Sequence, residues 1–323
     1  MSPEPHVLIV GCGAIAARHA RTLRRFPRRC RFSFASRTPE RAEAYRRRFG
    51  GQRAFGNLEA AWDNPDIDTV LLCTPHDTHA PLGRKALEAG RHLVVEKPLA
   101  LTAGEGECLR ACAREQQRFV TVAENYHYRP ALRRLVGWIE AGWLGDVRLI
   151  RINKLHRRRR GVTGWRRDRS SMGPGAFMDG GIHWVNVLQT LGGPFNSVSA
   201  RVLPGDTDGD LLETGLAVIA DLSRGAVGQL NYAWTVDDAS DAKWFGVYGT
   251  RGTAYVSHTF LAMYYRGHRG RRVWLAARDV MGFRAMWADF LDGLQTGAAT
   301  RMTIGRGLDD VRFVEAAYAA LPD

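Results

Sequence analysis

Lys97 is the first residue whose type and position suggest chemistry. It follows the apolar segment His92–Val95, with one acidic residue, Glu96, between them. An ammonium group at the end of a buried strand is partly desolvated, which suits a lysine for acid–base work. An ordinary solvated lysine is the alternative. Lysine is scarce in this chain and arginine is the default cation, so we interpret Lys97 as the principal proton donor and acceptor.

Asp179 and His183 form a second candidate pair. They are four residues apart, so at the start of a helix they can share one face. A carboxylate beside an imidazole can fix its tautomer and keep it available for proton transfer. A helix-capping aspartate and a buried structural histidine are the alternative for an isolated pair. Together with Lys97, the pair favours His183 as a substrate ligand or second proton carrier, oriented by Asp179.

A glycine-rich loop follows the first apolar strand and opens a helix. Its residues are Gly11, Cys12, Gly13, Ala14, Ile15 and Ala16. The first glycine allows a tight turn, the second lets the backbone approach a pyrophosphate, and the small third residue allows close packing of helix and strand. Unpaired N–H groups and the helix dipole favour phosphate at such a terminus. A turn without a ligand can look the same, but the strand–loop–helix context predicts a dinucleotide site.

The end of the second strand indicates which dinucleotide binds. Enzymes that use NAD usually place Asp or Glu there to hold the ribose 2′-hydroxyl. This chain has Ser36, Arg37 and Thr38 instead. A guanidinium and hydroxyl groups can bind a 2′-phosphate, although Arg37 could also be one more exposed arginine. We therefore predict that NADP(H) is favoured over NAD(H).

Further substrate contacts are expected from two aromatic segments. Trp165 and Arg166 precede the Asp179 helix, where a ring can stack on a sugar face and a guanidinium can meet an anionic group. Tyr126 is another candidate. The arginine run 157–160 either binds an anionic group of the substrate or is only solvated.

Two patterns of elements position these residues. Strand and helix alternate over the first 120 residues, which predicts a parallel sheet with crossover helices. Longer alternating segments between 197 and 274 suit an antiparallel or mixed sheet, and two helices close the chain. The predicted class is α/β: a Rossmann dinucleotide-binding domain at 1–122, then an α+β domain with an open, largely antiparallel sheet at 123–323 for substrate binding and oligomerisation.

Length and composition limit the classes of function. The 323 residues exceed one usual core, and the hydrophobic fraction of 45% is ordinary. No apolar run approaches the roughly 20 residues of a membrane span, and the amino terminus does not resemble a signal peptide, so we expect a cytoplasmic protein without membrane partners.

The net charge of +13 comes from abundant arginine without a nucleic-acid-binding module, and no nucleic-acid role is expected. The five cysteines lack metal-ligand spacing, so no metal site is predicted.

Four segments, in order, resemble the Gfo/Idh/MocA oxidoreductases, a family named for glucose–fructose oxidoreductase and inositol dehydrogenase. They are Cys73-Thr74-Pro75-His76-Asp77-Thr78-His79, Glu96-Lys97-Pro98-Leu99, Asn125-Tyr126-His127-Tyr128-Arg129-Pro130 and Gly173-Pro174-Gly175-Ala176-Phe177-Met178-Asp179-Gly180-Gly181-Ile182-His183. The resemblance covers nearly the whole chain. It implies an enzyme that transfers hydride between a nicotinamide and a carbonyl or hydroxyl group of a sugar, cyclitol, sugar acid or nucleotide-linked keto-sugar. A homodimer or homotetramer is also implied.

The resemblance also assigns roles. Thr74, Pro75 and His79, which follow Cys73, would line the nicotinamide-ribose side of the cofactor, with Glu96 near that ribose. Lys97 would reach the reacting carbon–oxygen group, and the residues of the Asp179–His183 helix would close the site over the nicotinamide.

The chain departs from the family pattern at two positions. His127, a candidate substrate contact, stands where many relatives have arginine, and Asn186 stands where an acid is common. Two other functions stay open: a hydrolase or lyase that retains its nicotinamide, and a non-catalytic dinucleotide sensor. The set of Lys97, Asp179 and His183 argues against the sensor.

Overall fold

The computed structural model describes residues 4–158, 163–205, 210–236 and 244–322. The chain divides into two compact units. The first comprises Met1–Ala123 with Phe283–Leu308, and the second comprises Glu124–Gly282 with Asp309–Asp323.

Fourteen strands and ten α-helices are formed within the described ranges. The strands are β1 His6–Val10, β2 Arg31–Ala35, β3 Ala54–Phe55, β4 Thr69–Leu72, β5 His92–Val95, β6 Val120–Val122, β7 Val147–Leu155, β8 Phe195–Val202, β9 Gly215–Leu222, β10 Val227–Ala233, β11 Trp244–Gly249, β12 Gly252–Ser257, β13 Ala262–Gly267 and β14 Gly270–Leu275. The helices are α1 Ala14–Leu23, α2 Pro39–Phe49, α3 Leu58–Trp62, α4 His79–Glu88, α5 Ala103–Glu115, α6 Pro130–Glu140, α7 Arg169–Met172, α8 Ile182–Gly192, α9 Phe283–Thr296 and α10 Ile304–Ala319.

The first unit is built on a six-stranded sheet in the order β3-β2-β1-β4-β5-β6, and every neighbouring pair is parallel. Its central strands are buried on both faces, as the continuous apolar run of β4 predicts for a sheet covered by helices. Helix α5 begins with a capping box in which Thr102 and Glu105 satisfy each other's backbone N–H groups. The predicted Rossmann architecture is confirmed.

Phe283–Leu308 returns to the first unit. The indole N–H of Trp287 donates to His19 of α1 over 2.9 Å, and Thr121 at the edge strand β6 donates to the Met302 carbonyl over 2.6 Å. These bonds to buried polar groups tie the segment to the first sheet. The sequence predicts one boundary near 122, which places Phe283–Leu308 in the second domain. No local pattern of residues indicates that the chain goes back to the first unit.

The second unit contains an eight-stranded sheet in the order β14-β13-β12-β11-β7-β10-β9-β8. All neighbouring pairs are antiparallel except β7 with β10. One face is buried against α8, where the Leu188 side chain lies so close to Gly228 of β10 that a Cβ there would stand 2.9 Å from it. Alternate residues point to the opposite, exposed face. The predicted α+β domain with a largely antiparallel sheet is thus confirmed.

No helix within the described ranges is both long enough and apolar enough to cross a membrane.

Candidate active site

The glycine loop of the first unit has the geometry that a phosphate requires. Gly11 has φ +99°, and a Cβ there would lie 2.5 Å from the Cys73 carbonyl oxygen, so only glycine fits. Gly13 precedes α1 with extended backbone and no side-chain cap, and a Cβ there would meet nothing within 4 Å. Ala14 is exposed, whereas Ala16 is fully buried between α1 and the sheet. Open space over helix N–H groups without a cap fits a dinucleotide pyrophosphate.

The end of β2 lies beside this loop. Arg37 and Thr38 are exposed, and the Ser36 hydroxyl accepts the Thr38 N–H at 3.2 Å. Burial raises the pKa of the Cys12 thiol to about 11, while Arg41 and a hydrogen bond with Ser36 act in the opposite direction. Arg41 is therefore a second cation near the loop, one turn into α2, and our sequence analysis missed it.

The end of β4 presents Thr74 and Pro75, both partly exposed, after the buried Cys73. His79 lies beneath them and is fully buried. Its Nδ1 is 2.7 Å from the Pro98 carbonyl and its Nε2 is 3.1 Å from the Thr74 carbonyl. Burial lowers the pKa of His79, against the opposing effect of these two carbonyls. The ring of His79 thus joins two loops, and its expected place beside the cofactor stays a prediction.

Glu96 and Lys97 follow β5. The Glu96 carboxylate is 7% exposed; one oxygen lies 2.7 Å from His19 Nε2 and the other accepts the Lys97 backbone N–H at 3.2 Å. Lys97 is half-buried. Lys97 therefore lies at the end of a central strand, and its acid–base role stays a prediction.

In the second unit, Asp179 lies on a turn of π-helix, Phe177–Gly181, that leads into α8. Its carboxylate accepts a hydrogen bond from Arg166 Nε at 2.9 Å. The Arg166 guanidinium in turn lies 4.2 Å from the centre of the Trp165 ring. The sequence predicts Trp165 and Arg166 just before the Asp179 helix. In the structure Arg166 contacts the Asp179 carboxylate, and Trp165 lies against the Arg166 guanidinium.

The partner of His183 is Glu124. His183 Nδ1 lies 2.8 and 2.7 Å from the two oxygens of Glu124, whose side chain is 1% exposed. The expected orienting role of Asp179 is corrected, because the π turn changes the helical phase between positions 179 and 183. A carboxylate only accepts hydrogen bonds, so Nδ1 carries the proton. The motif recognised in the sequence starts at Asn125, one residue after Glu124, so this partner of His183 was not predicted.

A column of stacked groups supports the His183 ring. Tyr126 stacks on it with centroids 4.3 Å apart and an 11° angle between planes. The Arg129 guanidinium lies 3.6 Å from the Tyr126 ring centre. Burial raises the pKa of Tyr126 and lowers the pKa of Arg129. Tyr126, predicted as a substrate contact, is thus placed as the support of His183.

His127 and Asn186 have structural partners. His127 is 2% exposed, and its Nδ1 lies 3.2 Å from the Thr190 hydroxyl; its expected contact with substrate stays a prediction. Asn186 donates to Asp310 of α10 at 2.7 Å. An acid at 186 would face the buried carboxylate of Asp310, whose pKa burial raises well above its ordinary value.

The arginine run is described only at its start. The Arg158 guanidinium lies 4.6 Å from the Trp234 ring centre, and Arg157 is exposed. Arg159 and Arg160 lie outside the described residues.

Two family models match the chain. The NAD-binding Rossmann-fold model of the GFO/IDH/MocA oxidoreductases matches residues 6–124, and the family's C-terminal-domain model matches residues 132–255.

Curated relatives include a levoglucosan dehydrogenase of Pseudarthrobacter phenanthrenivorans, 32% identical over 51% of this chain and 43% of that protein. This match therefore spans less than half of that relative's length. The dTDP-3,4-didehydro-2,6-dideoxy-alpha-D-glucose 3-reductase of Streptomyces violaceoruber is 31% identical over 73% of this chain and 68% of that protein.

Solved structures share the fold. A levoglucosan dehydrogenase in complex with NADH and levoglucosan has a TM-score of 0.91 at 22% identity, covering 98% of this chain and 97% of that chain. The aldose–aldose oxidoreductase of Caulobacter crescentus has a TM-score of 0.88 at 24% identity with the same coverage. The chain belongs to the GFO/IDH/MocA oxidoreductase family and carries both its NAD-binding Rossmann domain and its C-terminal domain.

Proposed function

We propose that this protein is an NADP(H)-dependent oxidoreductase that interconverts a hydroxyl and a carbonyl group on a sugar-like polyol. One observation carries the proposal: the buried Glu124 carboxylate holds the Nδ1 proton of His183, while the imidazole keeps 18% of its side-chain surface exposed. The second ring nitrogen, Nε2, is then left to face a ligand. A structural histidine would instead bury both of its nitrogens, as His79 does.

The nicotinamide supplies or takes up the hydride when it is bound, and the protein must manage one proton on the substrate oxygen. In the direction of reduction, the Lys97 ammonium gives its proton to the carbonyl oxygen as that oxygen gains charge. His183 Nε2 accepts a hydrogen bond from a substrate hydroxyl and fixes its orientation. Arg166, paired with Asp179, also lies over the ring of the half-buried Trp165. A sugar ring can stack on this tryptophan.

Replacing Lys97 by alanine tests its role. We expect the Lys97→Ala variant to bind cofactor normally and to lose about 100-fold or more in kcat, the usual contribution of a positioned acid–base group. The measurement is steady-state turnover beside a fluorescence titration with cofactor. Normal turnover with cofactor bound would overturn the assignment.

The preference for NADP(H) rests on the second strand. Its end carries Arg37 and two hydroxyl groups instead of a carboxylate, and Arg41 lies close to the glycine loop. A carboxylate would repel a 2′-phosphate, whereas a guanidinium forms paired bonds with it. The levoglucosan dehydrogenase structures contain NADH, so the direct comparison of the two cofactors is decisive.

The experiment titrates nucleotide-free protein with NADPH and with NADH. We expect tighter binding of NADPH, and we expect Arg37→Glu to weaken NADPH by about ten- to hundredfold while NADH changes little. Arg24→Glu, at an exposed arginine after α1, is the matched control. Equal loss of both cofactors would remove the role of Arg37, and binding of neither would remove the proposed function.

The substrate class is inferred from the relatives. One is named for levoglucosan and another for a dTDP-linked keto-sugar. We propose a sugar, cyclitol, sugar acid or nucleotide-linked keto-sugar for this chain. A screen of such polyols with NADP⁺, and of keto-sugars with NADPH, tests the class. Cofactor that survives purification and is not consumed in the assay would favour redox-neutral chemistry instead.

A further inference from the structure

A chain of buried hydrogen bonds runs from α9 to Lys97 within the first unit. Trp287 Nε1 lies 2.9 Å from His19 Nδ1, and His19 Nε2 lies 2.7 Å from Glu96 Oε1. The other Glu96 oxygen accepts the Lys97 N–H. Trp287 and His19 are fully buried. No motif of the sequence analysis included either of these two residues.

The chemistry of the donors fixes every proton in this chain. An indole N–H only donates, so His19 Nδ1 accepts and carries no proton. The proton of the neutral ring is therefore on Nε2, and it is donated to Glu96. Glu96 cannot be the donor, because His19 would then have no proton on either nitrogen. Glu96 is thus an ionised carboxylate held by a neutral imidazole.

This arrangement preserves a negative charge next to Lys97. A doubly protonated His19 would compensate the negative charge of Glu96. Its Nδ1–H would then face the indole N–H of Trp287, and this contact between two donors opposes the second protonation of the ring. The other groups near the ring are Phe283, with its centroid 5.4 Å from that of His19, and Arg18, whose guanidinium lies over Phe283 at 5.9 Å. Neither replaces the hydrogen bond from Trp287.

We propose that Trp287 and His19 are positioning residues: Trp287 keeps His19 neutral, so that Glu96 stays an uncompensated carboxylate fixed against the backbone of Lys97. The proposal rests on the proposed function, in which Lys97 carries the proton. A phenylalanine at 287 would fill most of the same space, so packing alone does not require an indole. Tryptophan at this position adds the indole N–H, which donates the hydrogen bond to His19.

The first test follows the protonation of His19 and needs neither cofactor nor substrate. Cofactor-free protein with ¹⁵N-labelled histidine is titrated by NMR from about pH 5.5 to 8.5, a range centred near the ordinary histidine pKa. His19→Gln identifies the His19 signals among those of the ten histidines. We expect His19 to keep a proton on Nε2 alone throughout, and to titrate in Trp287→Phe. A wild-type His19 that takes up a second proton in this range would overturn the proposal, as would an unchanged Trp287→Phe spectrum.

The second test is the pH profile of turnover. In Trp287→Phe we expect kcat to fall as the pH is lowered, because Nδ1 of His19 is then free to take up a second proton, with KM for substrate little changed. Trp62→Phe, at a buried tryptophan on α3, is the matched control and should keep the wild-type profile. His19→Gln keeps an N–H donor for Glu96 and should retain more activity than His19→Phe. Equal losses in these two variants, or a pH-independent loss in Trp287→Phe, would leave only a structural role.

The two proposals fail separately. If no substrate is turned over, the NMR titration still decides the state of His19. If His19 behaves as an ordinary histidine while Lys97→Ala abolishes turnover, the proposed function stands without the positioning chain.

Discussion

At the scale of single residues, two buried acids of this protein, Glu124 and Glu96, are held by identified donors. Glu124 accepts from His183 and from the Tyr126 backbone N–H, and Glu96 accepts from His19 and the Lys97 backbone. Burying a carboxylate without such bonds costs several kcal/mol or forces its protonation. The bonds to both histidines also decide which ring nitrogen carries the proton, so burial of these acids determines the chemistry of neighbouring side chains.

Glu124→Gln tests this effect on His183. The amide can present either its oxygen or its NH2 group to Nδ1, so it no longer fixes which ring nitrogen carries the proton, and we expect kcat to fall by about 10–100-fold, as for partners that orient a functional histidine. Cofactor affinity should be unchanged. Glu140→Gln removes the same charge from an exposed position on α6 and serves as the control. Kinetics that match the control would show that Glu124 does not act through His183.

At the scale of elements, the π turn before α8 decides where Asp179 points. The buried Glu213 accepts the Phe177 N–H at 2.8 Å and the Tyr318 hydroxyl at 2.7 Å, and burial raises the pKa of Glu213. A Cβ on Gly180 would collide with the Tyr232 hydroxyl. The turn is therefore held at one end by a buried acid and requires glycine inside it.

Two glycine-to-alanine variants test the turn. We expect Gly180→Ala to destabilise the protein by about 1–3 kcal/mol through overpacking against Tyr232. Gly137→Ala in α6 is the matched control, because a Cβ there meets nothing within 4 Å, and it should stabilise by about 0.5–1 kcal/mol. Denaturant unfolding of both variants measures the free energies. Changes of the same sign would contradict the proposed role of the turn.

At the scale of the whole molecule, the exposed face of the second sheet has an aromatic row. Registered neighbours across four strands are Gly246, Tyr255, Tyr264 and Val273, and Arg151 precedes them on β7. Val273 is 70% exposed and Ile219, on β9, is 55% exposed. Exposed apolar side chains on one sheet face are typical of an interface, and they favour the homo-oligomer that the family resemblance implies.

Tyr255→Asp tests the oligomer. A charge in the middle of the aromatic row should shift the protein towards monomer, because an unpaired carboxylate is costly to bury. Light scattering coupled to gel filtration measures the mass. Gln52→Asp makes the same charge change at an exposed position of the first unit and should leave the mass unaltered. A monomeric wild type, or a variant of unchanged mass, would remove this face as the interface.

The sequence alone determined the features that depend on short distances along the chain. The positive φ of Gly11, the apolar run of β4 and the cap at Thr102 follow from neighbouring residues, because backbone sterics and side-chain periodicity are local. The alternation of strand and helix over the first 120 residues predicted the first sheet, and the alternating segments between 197 and 274 predicted the second.

Only the tertiary structure decided the partners of those residues. Glu124 and His183 are 59 positions apart, and His19 and Trp287 are 268 apart. No local pattern specifies such pairs, because a buried hydrogen bond is selected by which elements pack together and by which donors would otherwise lose water. For the same reason Asp179 was assigned to His183 from a spacing of four residues, whereas the π turn and Arg166 gave it another partner.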